Sequence, residues 1–187
     1  MGRRGRNNLT NEHFYFVTTT IVRFLNLFSD RQNCRILIDN IKHYQKRYKF
    51  EILGYVIMPS HLHWIVEVNP NEGTISDIMR DIKKFSAYQI IDRIKEKKDE
   101  RIDKILIEEA ENYIDQERKV WQKRFDDEVI RDQKMFWTKL NYIHNNPVKA
   151  GLVDRPELYE FSSARNYILD NHSVIEVNTT MGGVQIN

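Results

Sequence analysis

The eight residues His61–Val68 constrain the fold of this chain more than any other segment. Successive side chains of a β-strand point to opposite faces of its sheet, so the sequence HLHWIVEV divides into two sets. One set is wholly apolar and belongs in the core: it consists of Leu62, Trp64, Val66 and Val68. The other set begins with His61 and His63 and continues through Ile65 and Glu67. The segment therefore predicts a strand with one buried face and two imidazoles on the other.

The spacing of His61 and His63 suits two nitrogen ligands of one metal ion, since alternate strand positions lie roughly 6–7 Å apart. The alternative is that both are exposed side chains on a solvated sheet face. The preceding apolar run Gly54–Ile57 indicates a central strand. That placement would put the histidines in the middle of the sheet and favours a functional pair.

The remaining pattern predicts an α+β protein. Besides His61–Val68, the expected strands lie at about 14–22, 52–57, 128–130 and 174–177, and the expected helices at about 30–48, from Thr74 onward, 97–118 and 132–146. We expect the last helix to end at about Asn146, because Pro147 disfavours the helical conformation of the residue before it. The order β-α-β-β-α-(α)-β-α indicates a ferredoxin-like antiparallel sheet with helices mainly on one face.

The length of 187 residues predicts one domain over residues 1–187, with 1–12 as a flexible basic arm and 97–118 as a charged helical insertion. The single cysteine, Cys34, excludes an intramolecular disulfide and fits a reducing, cytoplasmic location. We expect no membrane partner, because no apolar run approaches the length of a span. The net charge of +2 is uninformative, since a nucleic-acid binder needs only a local concentration of cations.

The predicted helix that contains Lys139–Lys149 offers groups that could complete a site at the histidines. Tyr142 and Asn146 are four residues apart and share one helix face, which differs from the apolar face of Leu140. On that face, Tyr142 could supply a nucleophilic hydroxyl and Asn146 a third metal ligand. The local sequence equally fits a boundary tyrosine and a helix C-terminal asparagine. His144 lies on another side, about 160° from Asn146, and favours a structural or DNA-contact role.

Two blocks carry a resemblance to a known family. The segments Gly54–Trp64 (GYVIMPSHLHW) and Tyr142–Val153 (YIHNNPVKAGLV) resemble the REP-associated tyrosine transposases, which are single-tyrosine members of the HUH endonuclease superfamily. Weaker similarities lie at Trp121-Gln122, at Val129–Arg131 and at Phe161–Arg165, so the matches run in order from about Phe14 to Tyr167.

This resemblance implies a ferredoxin-like fold with a nucleophile helix over the site, and a metal-dependent DNA-nicking transposase. His61, His63 and Asn146 would hold Mg²⁺ or Mn²⁺, with Mn²⁺ bound more tightly because it tolerates imidazole better. Tyr142 would attack single-stranded DNA at hairpin-flanked sites and form a 5′-phosphotyrosine link. Related insertion-sequence transposases have glutamine where this chain has Asn146. Family members differ in whether they dimerise, so a homodimer stays open.

DNA binding requires cations for phosphate contacts. The candidates in this chain are Arg3, Arg4, Arg6, Lys83, Lys84, Arg124 and Lys149, together with Lys123. Tyr88, Trp121 and Phe125 are candidates for stacking on bases.

Three rival functions remain open at this point. A zinc hydrolase would use His61, His63 and a third histidine such as His144. A catalytically silent DNA-binding module would share the fold without the reaction. A replication-initiation or plasmid-mobilisation nuclease would share the chemistry in another DNA context.

Overall fold

A computed structural model of the protein describes residues 13–111, 113–114 and 116–180. The predicted arm 1–12, with Arg3, Arg4 and Arg6, lies outside these residues. The strands found are β1 (Phe14–Thr20), β2 (Glu51–Met58), β3 (His61–Glu67) and β4 (Asp126–Val129). The α-helices found are α1 (Arg31–Tyr48), α2 (Ile75–Glu96), α3 (Glu100–Glu108), α4 (Gln133–Lys149) and α5 (Ala164–Leu169).

The four strands form one antiparallel sheet in the order β2-β3-β1-β4. This is the order expected for a ferredoxin-like α+β fold, and it confirms the predicted fold class. The prediction that Gly54–Ile57 is central is wrong, because β2 lies at the edge of the sheet. The histidines are nevertheless in mid-sheet, since β3 itself lies between β2 and β1.

The apolar sequence of β2 is explained by what covers its outer edge. The segment Phe161–Ser163 runs along it: the Ile57 N–H donates to the Phe161 carbonyl at 2.9 Å, and the Ser163 N–H donates to the Tyr55 carbonyl at 2.8 Å. Both faces of β2 are also packed, so residues 52–58 are all buried. An edge strand shielded in this way needs no charged side chains to prevent pairing with another chain.

Helices cover both faces of the sheet. The long helices α1 and α2 pack on the face formed by the apolar set of β3, in one large core cluster that includes Leu37, Ile82 and Trp64. The helix α4 packs on the opposite face, where Leu140 and Ile143 meet Ile65 and Tyr167 of α5 packs against the same cluster. This agrees with helices mainly on one face and a separate helix over the histidines.

Side-chain caps fix where the helices begin. The Asp30 carboxylate accepts from the Gln32 N–H at the start of α1, and Asp132 accepts from the Met135 N–H at the start of α4. Thr74 and Asp77 form a reciprocal capping box at the start of α2. Among the described residues, no helix combines the length and apolar character that a membrane crossing requires.

The predicted end of α4 before Pro147 is wrong. The helix continues through Pro147 to Lys149, and Pro147 is buried one turn beyond Ile143. Proline removes one helical hydrogen bond, but the following bonds form: the Ala150 N–H donates to the Asn146 carbonyl and the Leu152 N–H to the Pro147 carbonyl. The helix α4 therefore continues for about one turn past its predicted end at Asn146.

Two further predictions are corrected. The stretch 97–118 is helical only over α3, and Lys98, in a left-handed conformation, separates α3 from the end of α2. The described residues beyond α3 lie in turns and irregular structure. The expected strand at 174–177 is absent from the described chain; instead Ile175 and Val177 are buried as an irregular segment against the larger core.

Gly54 decides how closely α4 approaches β2. A Cβ atom at this position would lie 2.6 Å from Leu140 Cδ1. We therefore expect Gly54→Ala to destabilise the protein by about 1–3 kcal/mol, because Leu140 is buried and α4 must move outward. Urea denaturation measures this change. The compensating double variant Gly54→Ala with Leu140→Val is expected to recover part of the loss, and no recovery would contradict the steric explanation.

Candidate active site

The strand register places the two histidines under α4. His63 pairs with Val56 on one side and with Thr18 on the other, while His61 pairs with Met58 and Thr20. The centroids of the two imidazole rings are 4.6 Å apart, and the rings meet edge to face. The alternation predicted for β3 thus brings the two side chains together on one face of the sheet.

His63 is held on three sides. Its Nδ1 atom lies 2.8 Å from the Thr18 hydroxyl oxygen, and its ring stacks on Phe16 at a centroid distance of 5.7 Å. The ring of Tyr142 approaches from α4 at 5.2 Å. His63 is only 6% exposed, so its orientation is set by packing as well as by the hydrogen bond.

Both histidines use Nδ1 for a contact within the protein. The Nδ1 atom of His61 lies 3.1 Å from the Ser60 hydroxyl, as that of His63 lies near Thr18. When Thr18 accepts from Nδ1–H, the lone pair of His63 resides on Nε2. This is the tautomer that a metal ion or a hydroxyl donor requires on the Tyr142 side.

Burial keeps both imidazoles neutral. It lowers the pKa of His63 to about 3, and repulsion from Lys139, and from His61 when that ring is protonated, adds to the effect. Burial also lowers the pKa of His61 below its usual value. Near neutral pH, neither ring carries a proton that would prevent it from binding a cation.

Tyr142 reaches this pair from α4 of the same chain. Its hydroxyl oxygen lies 3.5 Å from His63 Nε2, a long contact compared with an ordinary hydrogen bond. The side chain is 42% exposed, in contrast to its buried helix neighbours Leu140 and Ile143. The hydroxyl is therefore next to the histidines and open to solvent.

Asn146 lies one helical turn beyond Tyr142. Its amide nitrogen donates to the Tyr142 carbonyl at 3.3 Å, which leaves its side-chain oxygen as the group able to bind a cation. Within the described chain it has no hydrogen bond to either histidine. The structure thus brings His63 into contact with both Tyr142 and His61, whereas the side chain of Asn146 contacts the Tyr142 carbonyl.

His144 has a structural environment. It is buried, its Nε2 atom lies 2.8 Å from the Ser163 hydroxyl, and its ring packs against Tyr167 at 5.3 Å. Burial lowers its pKa to about 4. No group of three His, Cys, Asp or Glu side chains suited to a metal occurs in the part of the chain that is described, which removes the rival zinc triad with His144.

Sequence reasoning missed the groups that surround His63. The sequence shows that Phe16 and Thr18 lie on the same face of β1. Only the register with β3 shows which imidazole they contact. Lys139 was also missed: its Nζ lies over the Phe16 ring at 4.6 Å and pairs with Glu128 at 2.5 Å. It brings a positive charge to the margin of the site.

The described DNA-contact candidates fall in two places. Lys149 lies beside the site, with its Nζ 6.0 Å from the centroid of the Tyr142 ring. Lys83 and Lys84 belong to α2 on the other layer, where Lys83 donates to the Gln122 carbonyl and Lys84 lies over Phe85. Arg124, two residues after Gln122, is exposed.

Comparison with known proteins gives a family match. The model of a transposase family described as IS200-like matches residues 9–146. A protein of Haemophilus influenzae named "Putative REP-associated tyrosine transposase" is 26% identical over 165 residues, or 84% of this chain and 83% of that protein. The REP-associated tyrosine transposase of Escherichia coli K12 is 26% identical over 114 residues, or 61% of this chain and 54% of that protein.

A solved structure agrees in fold. The structure of a REP-associated tyrosine transposase bound to a REP hairpin superimposes with a TM-score of 0.66 at 22% identity, and covers 90% of this chain and 86% of that one. The resemblance predicted from the blocks around the histidines and the tyrosine is therefore confirmed.

The neutral histidines predict how stability depends on pH. In the unfolded chain they bind protons near a pKa of about 6.5, whereas His63 and His144 in the folded protein do so only at about 3 and about 4. The free energy of unfolding is therefore expected to fall from about pH 6.5 downward, by at most about 1.4 kcal/mol per pH unit for each histidine. Urea denaturation between about pH 7 and pH 5 measures the slope.

His144→Gln and His63→Gln are each expected to flatten that slope, whatever they do to the stability at neutral pH. An unchanged slope in both variants would contradict the assignment of buried, neutral imidazoles.

Proposed function

Since the chain belongs to the IS200-like transposase family, whose model matches residues 9–146, we propose that it cleaves and rejoins single-stranded DNA with Tyr142 as the nucleophile. The observation that carries this proposal is the 3.5 Å approach of the Tyr142 hydroxyl to His63 Nε2. A tyrosine open to solvent beside two neutral imidazoles is accessible to a DNA strand and close to a cation site.

In the proposed reaction the Tyr142 oxygen attacks a phosphodiester of the bound strand. The new bond joins this oxygen to phosphorus, and the bond from phosphorus to the 3′-oxygen breaks. The tyrosine proton passes to solvent, which the exposed side chain permits, and the departing 3′-oxygen takes up a proton. The products are a 5′-phosphotyrosine link and a free 3′-hydroxyl.

The residues present fit a divalent cation. The imidazole of His63 is buried and that of His61 partly buried, and burial favours the neutral form of both. Their Nδ1 atoms lie next to the hydroxyls of Thr18 and Ser60, and Asn146 follows Tyr142 by one helical turn. His61, His63 and Asn146 would hold Mg²⁺ or Mn²⁺. When bound, the cation would neutralise charge that develops on the phosphate during attack.

Thr18 acts on this arrangement through His63. By accepting from Nδ1–H it would fix the ring orientation and leave Nε2 directed toward Tyr142. Lys149 adds positive charge 6.0 Å from the centroid of the Tyr142 ring, where the phosphate of a bound strand would lie, whereas the charge of Lys139 is paired with Glu128. In the proposed reaction, Thr18 positions the His63 ring and the lysine charge neutralises the phosphate, whereas Tyr142 alone forms a covalent bond with the DNA.

Reversal of the reaction would make the enzyme a strand-transfer catalyst rather than a degrading nuclease. The phosphotyrosine link conserves the energy of the broken bond, so a 3′-hydroxyl can attack it and restore a phosphodiester. We propose hairpin-flanked single-stranded DNA as the substrate. This choice is supported by the names of the two relatives and by the REP hairpin that is bound in the solved structure of similar fold.

Tyr142→Phe is expected to abolish the covalent complex. The wild-type protein, incubated with labelled hairpin-containing single-stranded DNA and Mn²⁺, should give a denaturant-stable complex on a gel. The variant lacks only the attacking oxygen, so it should bind the same DNA without forming the complex. The matched control is Tyr88→Phe, which removes the hydroxyl of another exposed tyrosine and should retain the complex.

An adduct that persists in Tyr142→Phe would contradict the nucleophile assignment. A wild-type protein that binds DNA tightly and forms no adduct would instead indicate the silent DNA-binding module.

Mn²⁺ binding tests the ligand set without requiring activity. Electron paramagnetic resonance of free Mn²⁺ measures the affinity. His63→Ala should weaken it by at least about tenfold, since even second-shell changes cost roughly 10–100-fold. Asn146→Leu should also weaken it, whereas Asn146→Asp should strengthen it by adding a charged oxygen.

The control for these variants is His43→Ala, an exposed imidazole on α1 that should leave Mn²⁺ binding unchanged. Unchanged binding in both Asn146 variants would remove this residue from the site and leave the two histidines as the protein ligands.

A further inference from the structure

An open groove with a volume of about 1080 Å³ lies between α2 and the segment 113–123, outside the site just described. It exists because the charged insertion folds back on α2. Leu106 of α3 is buried in the larger core, and the Lys119 N–H donates to the Leu106 carbonyl at 2.9 Å. Arg118 makes a two-pronged ion pair with Asp103 at 2.5 and 2.9 Å. The wall of the groove is therefore pinned to the fold.

Five lysines line this groove. They are Lys83, Lys84 and Lys95 from α2, and Lys119 and Lys123 from the segment 113–123. Among the described residues none of the five forms an ion pair with a carboxylate, although the insertion is rich in acidic residues. Burial and the nearby Lys119 lower the pKa of Lys83 to about 8, as expected where positive charges lack partners. The lining also contains Arg118 and the carboxylates of Asp92 and Glu117, so the lysines outnumber the acidic groups and leave the groove with a net positive charge. A net positive groove favours a polyanionic ligand.

Aromatic rings alternate with the cations. The Nζ atoms of Lys119 and Lys123 lie 4.3 and 5.5 Å from the centroid of the Tyr113 ring. Tyr88 lines the groove from α2 and is 55% exposed, and the Phe85 ring meets it edge to face at 6.2 Å. Exposed rings beside phosphate-binding cations are the arrangement by which proteins hold single strands without reading their sequence.

The groove is close enough to the histidines to hold the same strand. Lys123 precedes Asp126 by three residues, Asp126 pairs with Thr18, and Thr18 pairs with His63. These steps give a separation of at most about 20 Å between the Cα atoms of Lys123 and His63. Because α2 lies on the sheet face opposite the histidines, a single strand that leaves the Tyr142 site would reach the groove by passing around the β4 edge of the sheet.

We propose that this groove binds the backbone and bases of a single DNA strand that extends from the cleavage site. This inference rests on the proposed function for the identity of the strand. It gives the charged insertion a role: the segment after α3, which α3 holds in place, forms a second nucleic-acid contact away from the reacting tyrosine.

The test compares two triple variants with the same change in charge. Lys95→Gln, Lys119→Gln and Lys123→Gln remove three groove cations, whereas Lys42→Gln, Lys46→Gln and Lys104→Gln remove three exposed cations elsewhere on α1 and α3. Both are made in full-length Tyr142→Phe protein so that cleavage does not interfere. The probe is a fluorescent single-stranded thymidine oligonucleotide of about 20 nucleotides, longer than a typical site of roughly 4–16.

The groove variant is expected to bind on the order of 100-fold more weakly near 0.1 M salt, and the slope of log affinity against log salt should fall by about 2. Tyr88→Leu should weaken binding about tenfold with little change in that slope. Equal losses in the two triple variants would overturn the proposal, because general surface charge would then explain them.

The proposal would also be overturned if the groove variant lost as much affinity for duplex DNA as for the single strand. The same holds if polyglutamate competed as strongly as the oligonucleotide, because either result would show a surface that binds any anion. The groove triple variant in protein that retains Tyr142 should still form the covalent complex when DNA is saturating. Absence of the complex in wild-type protein would thus count against the proposed reaction alone, since groove binding is measured separately.

Discussion

His63 is oriented by the 2.8 Å contact between its Nδ1 atom and the Thr18 hydroxyl, and this contact exists only because of the register between β1 and β3. A shift of one residue would turn Thr18 toward the opposite face and replace it by an adjacent side chain. The same register places Phe16 against the His63 ring. Because the other face of β3 is wholly apolar and buried, the strand cannot slip without exposing Trp64. Core packing therefore fixes the geometry of the candidate site.

The second requirement is that α4 lies close to the sheet. Gly54 lacks the Cβ that would meet Leu140, and Ser163 ties the chain beyond α4 to both Tyr55 and His144. This gives a physical explanation for the weak similarity noted at Phe161–Arg165: the segment holds the edge strand β2 and the helix α4 together. Tyr142 stays exposed on a helix whose opposite side is locked in place. A nucleophile held in this way can accept a substrate strand without a rearrangement of the core.

The local patterns predicted the elements and the histidine face, but they could not show which elements meet. The alternation of β3 was sufficient to assign His61 and His63 to one face, and the i,i+4 spacing placed Tyr142 and Asn146 together. The position of β2 was wrong because apolar character reports burial, and the Phe161–Ser163 segment buries this edge as fully as a neighbouring strand would. The end of α4 was wrong because packing of Pro147 outweighs one lost hydrogen bond. Thr18 could be found only from the pairing.

The charge of the insertion shows why net charge was uninformative. Several of its acidic side chains form ion pairs with arginines: Asp103 pairs with Arg118, while Glu108 and Glu109 pair with Arg23. The groove lysines are left without carboxylate partners among the described residues, although opposite charges are available a few residues away. Unpaired like charges close together reduce stability. Their retention along both walls of one groove is what a surface that binds an extended polyanion requires.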